Sequence, residues 1–443
     1  MNPLAGDCDP LRFDHPARTL RSGPVRAGSL LALIPPLVAA CTGSGQETRE
    51  GDTTVHRRED LQAACEAALA SAVPIPVRRT RRELRLVQRI GGDASNALGR
   101  IAGAAWHEGS HSVFVLDGLN GRVVVFDSSG RYVREFGRLG SGPGEFDEVA
   151  GGHGGRTVYN QLAFLDPEHL VVNGFRHVHL FSTNGTFLER LETDGARSGP
   201  LGIRHVTPWT PRSVLVSETG AMDLASENAE VRTELRLIEL RLENERLTKV
   251  PFDRLRNPFV RFWPFDGPLP RDPYGSSYAR TWDATNTGLL VALSYDRHGA
   301  CFMDRQRRVR SALAVDAPVI PVNRVEREKI LDELRASLGP NPPMAGGSWE
   351  DFYSSWPDAL PFYVDVVLGA DSIAWLERPA PSGTRVIDLL HPTRGYLGSV
   401  KQFADHLPLV TDNDCGLVVD LDVSESGESL GFYGLSRWCI HEN

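Results

Sequence analysis

His177 and His179 stand one residue apart in a run of strand-forming residues, HVHLF. A strand turns i and i+2 to the same face, so the pair could grip a metal ion from one side. Gly140-Ser141-Gly142-Pro143-Gly144 has the glycine content of a phosphate-cradling loop. No helix pattern opens behind it, however, and such loops hold anions through a helix N-terminus. The sequence contains no Walker loop or dinucleotide-type GxGxxG. Phe259, Phe262, Trp263, Phe265, Tyr274, Tyr278 and Trp282 crowd a stretch rich in proline and arginine. Aromatic groups there would pack over the structure beneath or, at a rim, stack on a sugar, a peptide or a protein partner.

The elements that must position these groups are short strands. The 443 residues include 43 Gly and 30 Pro, scattered as turn punctuation, which favours many short strands over long helices. Net charge is -9 and only Lys249, Lys329 and Lys401 are lysine, so the chain lacks the basic footprint of a nucleic-acid binder. Residues 113–146 spell a strand, a turn, a second strand (Arg122–Phe126), a tight Asp127-Ser128-Ser129-Gly130 turn and a third strand (Tyr132–Phe136). Asp117, Asn120, Arg122, Phe126, Asp127, Gly130, Phe136, Gly137, Gly140, Gly142, Pro143, Gly144 and Phe146 fall in the order and at the offsets of the NHL repeat, which this segment resembles. The glycine-rich loop belongs to that pattern and is read as a turn between blades.

Weaker copies follow. Residues 170–191 align with the first unit, and hairpins with outer strands recur near Leu235–Val250, Leu289–Leu313 and Ile373–Val400. The outer strands are Tyr132–Phe136, Phe187–Leu191, Leu247–Val250, Val309–Leu313 and Tyr396–Val400. Leu84–Ile90 is an outer strand with no hairpin before it, while Gly416–Val423 and Ser429–Leu435 lack an outer strand after them. Pairing the two ends gives an all-β, six-bladed β-propeller closed by its N-terminal strand against the C-terminal blade. A helical insertion is expected near residues 318–358: VEREKILDELRASL puts Val325, Ile330, Leu331, Leu334 and Leu338 near one face and Gly339-Pro340 ends it. His177 and His179 fall on a middle strand of their blade and are expected as a surface pair.

The amino end reads as an address. Ser29–Ala40 is uncharged and mostly apolar after Arg18, Arg21 and Arg26, too short to span a bilayer and interrupted by Pro35-Pro36. It resembles a signal-peptide core, and Val38-Ala39-Ala40-Cys41 resembles the bacterial lipoprotein box. The resemblance implies cleavage before Cys41, lipidation of its thiol and, with Thr42 rather than Asp following, sorting to an outer membrane facing the periplasm or the cell surface. A start at Val25 would give this leader a conventional length. The expected organisation is therefore a leader over 1–40, a lipidated tether over 41–82 and the propeller over 83–443. An exported chain meets an oxidising compartment, where Cys65, Cys301, Cys415 and Cys439 allow three pairings; Cys415–Cys439 is the bond expected, both lying in the closing blade or its tail.

As a whole the chain resembles bacterial six-bladed propeller lipoproteins with NHL-like blades. Some related propellers are enzymes that hold calcium or zinc in the central channel. The innermost strands are expected near 99–106, 158–165, 203–208, 277–283, 362–367 and 405–410, which makes His205, Tyr278, Arg280, Asp283, Tyr363, Asp365, Asp405 and His406 the candidate channel-lining residues. They lack the three-histidine pattern of amidating-lyase propellers and the acidic quartet of gluconolactonase-like ones. The expected function is non-catalytic binding of a ligand (a sugar or peptide) or of an envelope protein by a lipid-anchored scaffold, with no cofactor. The alternative is a metal-dependent hydrolase or lyase with calcium or zinc in the channel.

Overall fold

Strand burial falls into two patterns. Ser112–Asp117, Leu290–Leu293 and Gly299–Met303 are buried at every position, whereas Phe187–Glu192 alternates between half-buried and exposed. A strand covered on both faces reads as a continuous apolar run, and one at a sheet's rim alternates. The computed structural model of the chain shows why: small antiparallel sheets stand around an axis, so that middle strands are sandwiched between neighbours and outer strands meet water. Described are residues 61–77, 81–91, 97–99, 101–146, 159–174, 177–192, 203–219, 234–256, 281–293, 297–321, isolated positions between 324 and 336, 362–363, 365–379, 385–401, 407–412, 414–423 and 429–441.

Six blades follow one another. Blade 1 comprises Ile101–His107, Ser112–Asp117, Arg122–Phe126 and Tyr132–Phe136; blade 2 spans Tyr159–Asp166 to Phe187–Glu192 and blade 3 Ile203–Thr210 to Arg246–Arg256. Blade 4 runs from Trp282–Ala284 to Val309–Asp316 and blade 5 from Asp365–Leu368 to Gly395–Lys401. Blade 6 is built from Val410–Asp412, Cys415–Val423 and Ser429–His441, and β2 (Arg81–Gly91) supplies its outer strand. Within each blade the chain moves from the axis outward, each strand antiparallel to the last.

The ring closes as the sequence pattern requires. β2 runs antiparallel to Ser429–His441, with Leu84 opposite Ile440 and Ile90 opposite Leu435. Its first residues, Arg81 and Arg82, also lie parallel to Ser399 and Val400 of blade 5. Among the described residues, six apolar clusters fill the six gaps between successive blades. The cluster that joins blade 6 to blade 1 contains Ile90, Val115, Phe126, Leu417 and Leu435. Closure removes the open edges that a linear array of sheets would expose to other chains.

The tether expected over 41–82 gives way to packed structure in its second half. α1 (Leu61–Ser71) buries Leu61, Cys65 and Leu69, spaced four apart and therefore on one face. That face enters the cluster shared by Trp209, Leu215 and Leu237 of blade 3 and Trp282, Leu290 and Met303 of blade 4. Cys65 is disulfide-bonded to Cys301, 236 residues away. β1 (Ile75–Pro76) then adds a parallel fifth strand to blade 4 through Val315 and Asp316. The segment from α1 to β2 thus straps the outside of the ring before closing it. Of the insertion near 318–358, residues 324, 325, 328, 331, 332, 335 and 336 are helical, and Leu331 is buried; the rest of its helix and its aromatic run lie outside the described residues.

Candidate functional site

Asp117 explains why the best repeat is spelled as it is. Its carboxylate is fully buried and accepts the Gly99 and Asn120 backbone N–H groups, Asn120 Nδ2 at 2.7 Å and Arg122 Nε at 3.2 Å. Arg122 carries on to Glu135 at 2.6 Å and to the Ala97 carbonyl at 2.8 Å. Asp, Asn and Arg at these offsets lock the second hairpin of blade 1 to the chain entering it. They are framework and leave the axis to the inner strands.

On the axis lies a cavity of about 360 Å³, lined from all six blades. It gathers residues of the inner strands: Gly103 to His107, Gln161 to Asp166, His205 to Pro208, Asp283 and Ala284, Val367 and Leu368, and Val410 with Thr411. Gly103, Gln161, His205 and Asp283 come first along their strands and form the floor. Glu108, Pro167, Pro211, Asn286 and Ala370, in or beside the turns that follow, ring the mouth. Gly103 is required there, since a Cβ would stand 2.9 Å from the Gln161 Cα. Of the aromatic stretch expected to pack or to stack on a ligand, Phe259 to Tyr278 lie outside the described residues.

The floor carries a polar belt across four blades. Val206 N–H donates to Gln161 Oε1 at 2.9 Å, which identifies that atom as the amide oxygen. His205 Nδ1 lies 2.5 Å from the same oxygen and must therefore donate to it. His205 Nε2 meets Asp283 Oδ1 at 3.1 Å, and that oxygen also accepts the Ala284 N–H at 2.8 Å. Asp283 Oδ2 accepts the Leu368 N–H of blade 5 at 2.8 Å. The hydrogen between Nε2 and Oδ1 is held there whichever partner carries it. Neither ring nitrogen of His205 offers a lone pair to the channel. Trp282 packs edge-on to the imidazole, with centroids 4.9 Å apart, and fixes its plane.

At the mouth His107 is likewise committed. Ser110 N–H donates to its Nδ1 at 3.0 Å, so Nε2 carries the hydrogen and donates to the Pro167 carbonyl at 2.8 Å. Asp166 is held by His169 Nδ1 at 2.8 Å and by the Glu168 N–H. Around these groups the wall is apolar, including Trp106, Leu162, Phe164, Val206, Pro208 and Val410.

Of the eight residues expected to line the channel, His205 and Asp283 meet in it. Tyr363 does not. It is buried between blades 4 and 5, where its hydroxyl donates to Asp388 Oδ2 at 3.1 Å. Burial first, then the negative Asp388, holds that hydroxyl well above its ordinary pKa, so it stays a donor. Asp388 also takes Arg378, Ser399 and Tyr396, whose hydroxyl is pushed up to about 12 by burial and the same carboxylate. Asp365 starts the inner strand of blade 5 and accepts the Val366 N–H at 2.9 Å; it does not line the cavity. Tyr278, Arg280, Asp405 and His406 lie outside the described residues, as do the lipobox residues Val38, Ala39 and Ala40 and the acceptor Cys41. Cys415 and Cys439 are bonded across adjacent strands of blade 6.

His179 is not a surface residue. It is fully buried, with its ring 5.4 Å from Phe146 and stacked parallel to Phe181 at 6.2 Å. Phe146 ends the glycine-rich turn of blade 1, which folds over blade 2 and covers the histidine. Among the described residues no group of three His, Cys, Asp or Glu side chains comes together as a metal cage. Among the described residues the floor offers calcium or zinc few ligands, because His205 uses both ring nitrogens within the belt and Asp283 is the one carboxylate there. Gln161 and Thr207 were not singled out from the sequence. Gln161 carries neither charge nor metal affinity, and Thr207 Oγ1 donates to the Ala284 carbonyl at 2.8 Å.

Fold and axis together define a six-bladed β-propeller with a small, part-apolar chamber in one mouth of its channel. The pattern of a family described as 6-bladed beta-propeller (DUF5128) matches residues 93–151, which cover blade 1 and its flanks. A member of the duf4221 family from Bacteroides vulgatus has a similar structure, with 9% identity, a TM-score of 0.51 and 83% of this chain aligned to 100% of that one. A protein from Bacteroides fragilis NCTC 9343 aligns over 83% of this chain and 97% of its own, with 10% identity and a TM-score of 0.46. Virginiamycin B lyase from Staphylococcus aureus with quinupristin aligns over 81% and 100%, with 8% identity and a TM-score of 0.41. No curated protein sequence matches the chain.

Proposed function

We propose that this protein is a lipid-anchored propeller of the bacterial envelope that binds a small molecule in the mouth of its channel without chemically changing it. The observation that carries the reading is the belt of Gln161, His205 and Asp283. The side chains best suited to acid–base or metal chemistry are tied to one another and to backbone N–H groups of neighbouring blades. A general base needs a free lone pair within reach of a substrate proton, and His205 has none. What reaches the cavity is an apolar wall above a fixed polar floor, the composition of a binding pocket.

Export is supported by the apolar leader and the lipobox ending at Cys41. Two disulfides accord with an oxidising compartment. Native mass spectrometry and elemental analysis of the protein purified from its own membranes test the whole reading. The expected result is a mature chain that begins at a triacylated Cys41 and releases an unaltered organic molecule on denaturation. Stoichiometric zinc or calcium would overturn the binding role in favour of the metal-dependent hydrolase or lyase.

A further inference from the structure

We propose that the chamber selects an uncharged molecule by its carbonyl oxygen, and that the Gln161 side-chain amide is the group that reads it. The inference rests on the channel being a ligand site and adds the ligand's chemical class. Gln161 Oε1 is pinned by two donors, Val206 N–H and His205 Nδ1. With the oxygen fixed, the NH2 end cannot exchange places with it. Gln161 Nε2 has no acceptor among the described residues, although the side chain is half-buried in the floor of a chamber. An amide oriented in advance, with two unspent N–H donors, is complementary to an acceptor oxygen and repels a donor.

Charge decides which acceptor. The described lining residues include no lysine or arginine; Asp166 and Asp283 are each paired to a histidine, and the third carboxylate, Glu108, stands at the mouth, where it repels a further negative charge. A carboxylate ligand would lose its hydration with no cation to replace it, whereas a ketone, ester, lactone or amide oxygen loses far less. An ammonium group would meet donors at the floor. The apolar wall of Leu162, Phe164, Val206 and Val410 then takes the hydrocarbon part, and a volume of about 360 Å³ suits a compact molecule with one ring system.

Four probes that share a phenyl ring separate these possibilities: acetophenone, benzoate, benzylamine and ethylbenzene. Each is titrated into the full mature chain and followed by saturation-transfer NMR. Acetophenone is expected to bind about fivefold more tightly than ethylbenzene, the worth of one neutral hydrogen bond, and both charged probes more weakly than either. Gln161→Glu keeps the acceptor for His205 and Val206 but removes the donors, and should abolish the advantage of acetophenone over ethylbenzene when both are measured on that variant. Its melting transition checks that the fold is intact. An advantage that survives in Gln161→Glu, or a preference of the unmodified protein for benzoate or benzylamine, overturns the carbonyl assignment and leaves the pocket standing. Failure of all four probes to bind the unmodified protein overturns the pocket reading itself.

Discussion

Replacing Cys65 and Cys301 together by alanine should cost this protein more stability than replacing Cys415 and Cys439. The first bond spans 236 residues and the second 24. In the chain-entropy treatment, closing the longer loop restricts the unfolded chain by about 5 kcal/mol and the shorter by about 3 kcal/mol. The longer bond also holds α1 in place. Without it the helix keeps only the burial of Leu61 and Leu69 against blades 3 and 4, and a helix of 11 residues is marginal by itself. Guanidinium unfolding followed by tryptophan fluorescence, with hydrogen exchange of α1 amides, reads both effects. The expected outcome is an earlier midpoint for Cys65→Ala/Cys301→Ala and faster exchange in residues 61–71, with the blades still folded. Reductant should lower the midpoint of the unmodified protein further still, since it opens both bonds. A loss below about 1 kcal/mol, or one no larger than that of the Cys415→Ala/Cys439→Ala pair, would refute the strap.

Asp117→Ala should be among the most damaging substitutions in blade 1, by about 3 kcal/mol in thermal unfolding, because it takes the charged acceptor from four part-buried hydrogen bonds. Gly103→Val should shrink the chamber and force the inner strands of blades 1 and 2 apart, which lowers the melting temperature and weakens ethylbenzene binding. His298 is 6% exposed, and burial first of all lowers its pKa to about 4, so the folded ring stays neutral while the unfolded one takes a proton below about pH 6.5. Stability that is complete above pH 6.5 should therefore fall as pH drops toward 4, by at most about 3 kcal/mol. His298→Gln should remove that component from the pH profile of unfolding.

The architecture was legible in the sequence because each blade repeats the same local grammar of alternation and turn. Tyr132–Phe136 is found with the expected bounds, and the other outer strands differ only at their ends. Leu84–Ile90 closes the ring because blade 6 lacks an outer strand, and Leu84 and Ile90 enter the cores on either side of that blade. The strap was harder to read. Residues 59–70 have a helical pattern, but nothing local says that Cys65 faces a cysteine 236 residues away. His179 misled for a similar reason: its cover, Phe146, comes from the preceding blade. At the axis, residue type pointed to His205 and Asp283 as chemistry. Their meaning depends on Gln161, which a search for charge and metal affinity passes over. Tyr363 was placed one layer too near the axis, because its strand begins at Asp365.

The central claim, that the floor of the channel binds and does not react, turns on the two ring nitrogens of His205. Nitrogen NMR of the histidine-labelled mature protein, recorded with and without added zinc and calcium, addresses it directly. The account predicts that both His205 nitrogens are hydrogen-bonded and that neither signal moves when metal is added. A His205 nitrogen that shifts on binding zinc or calcium would contradict it and place a metal site at the centre of the ring.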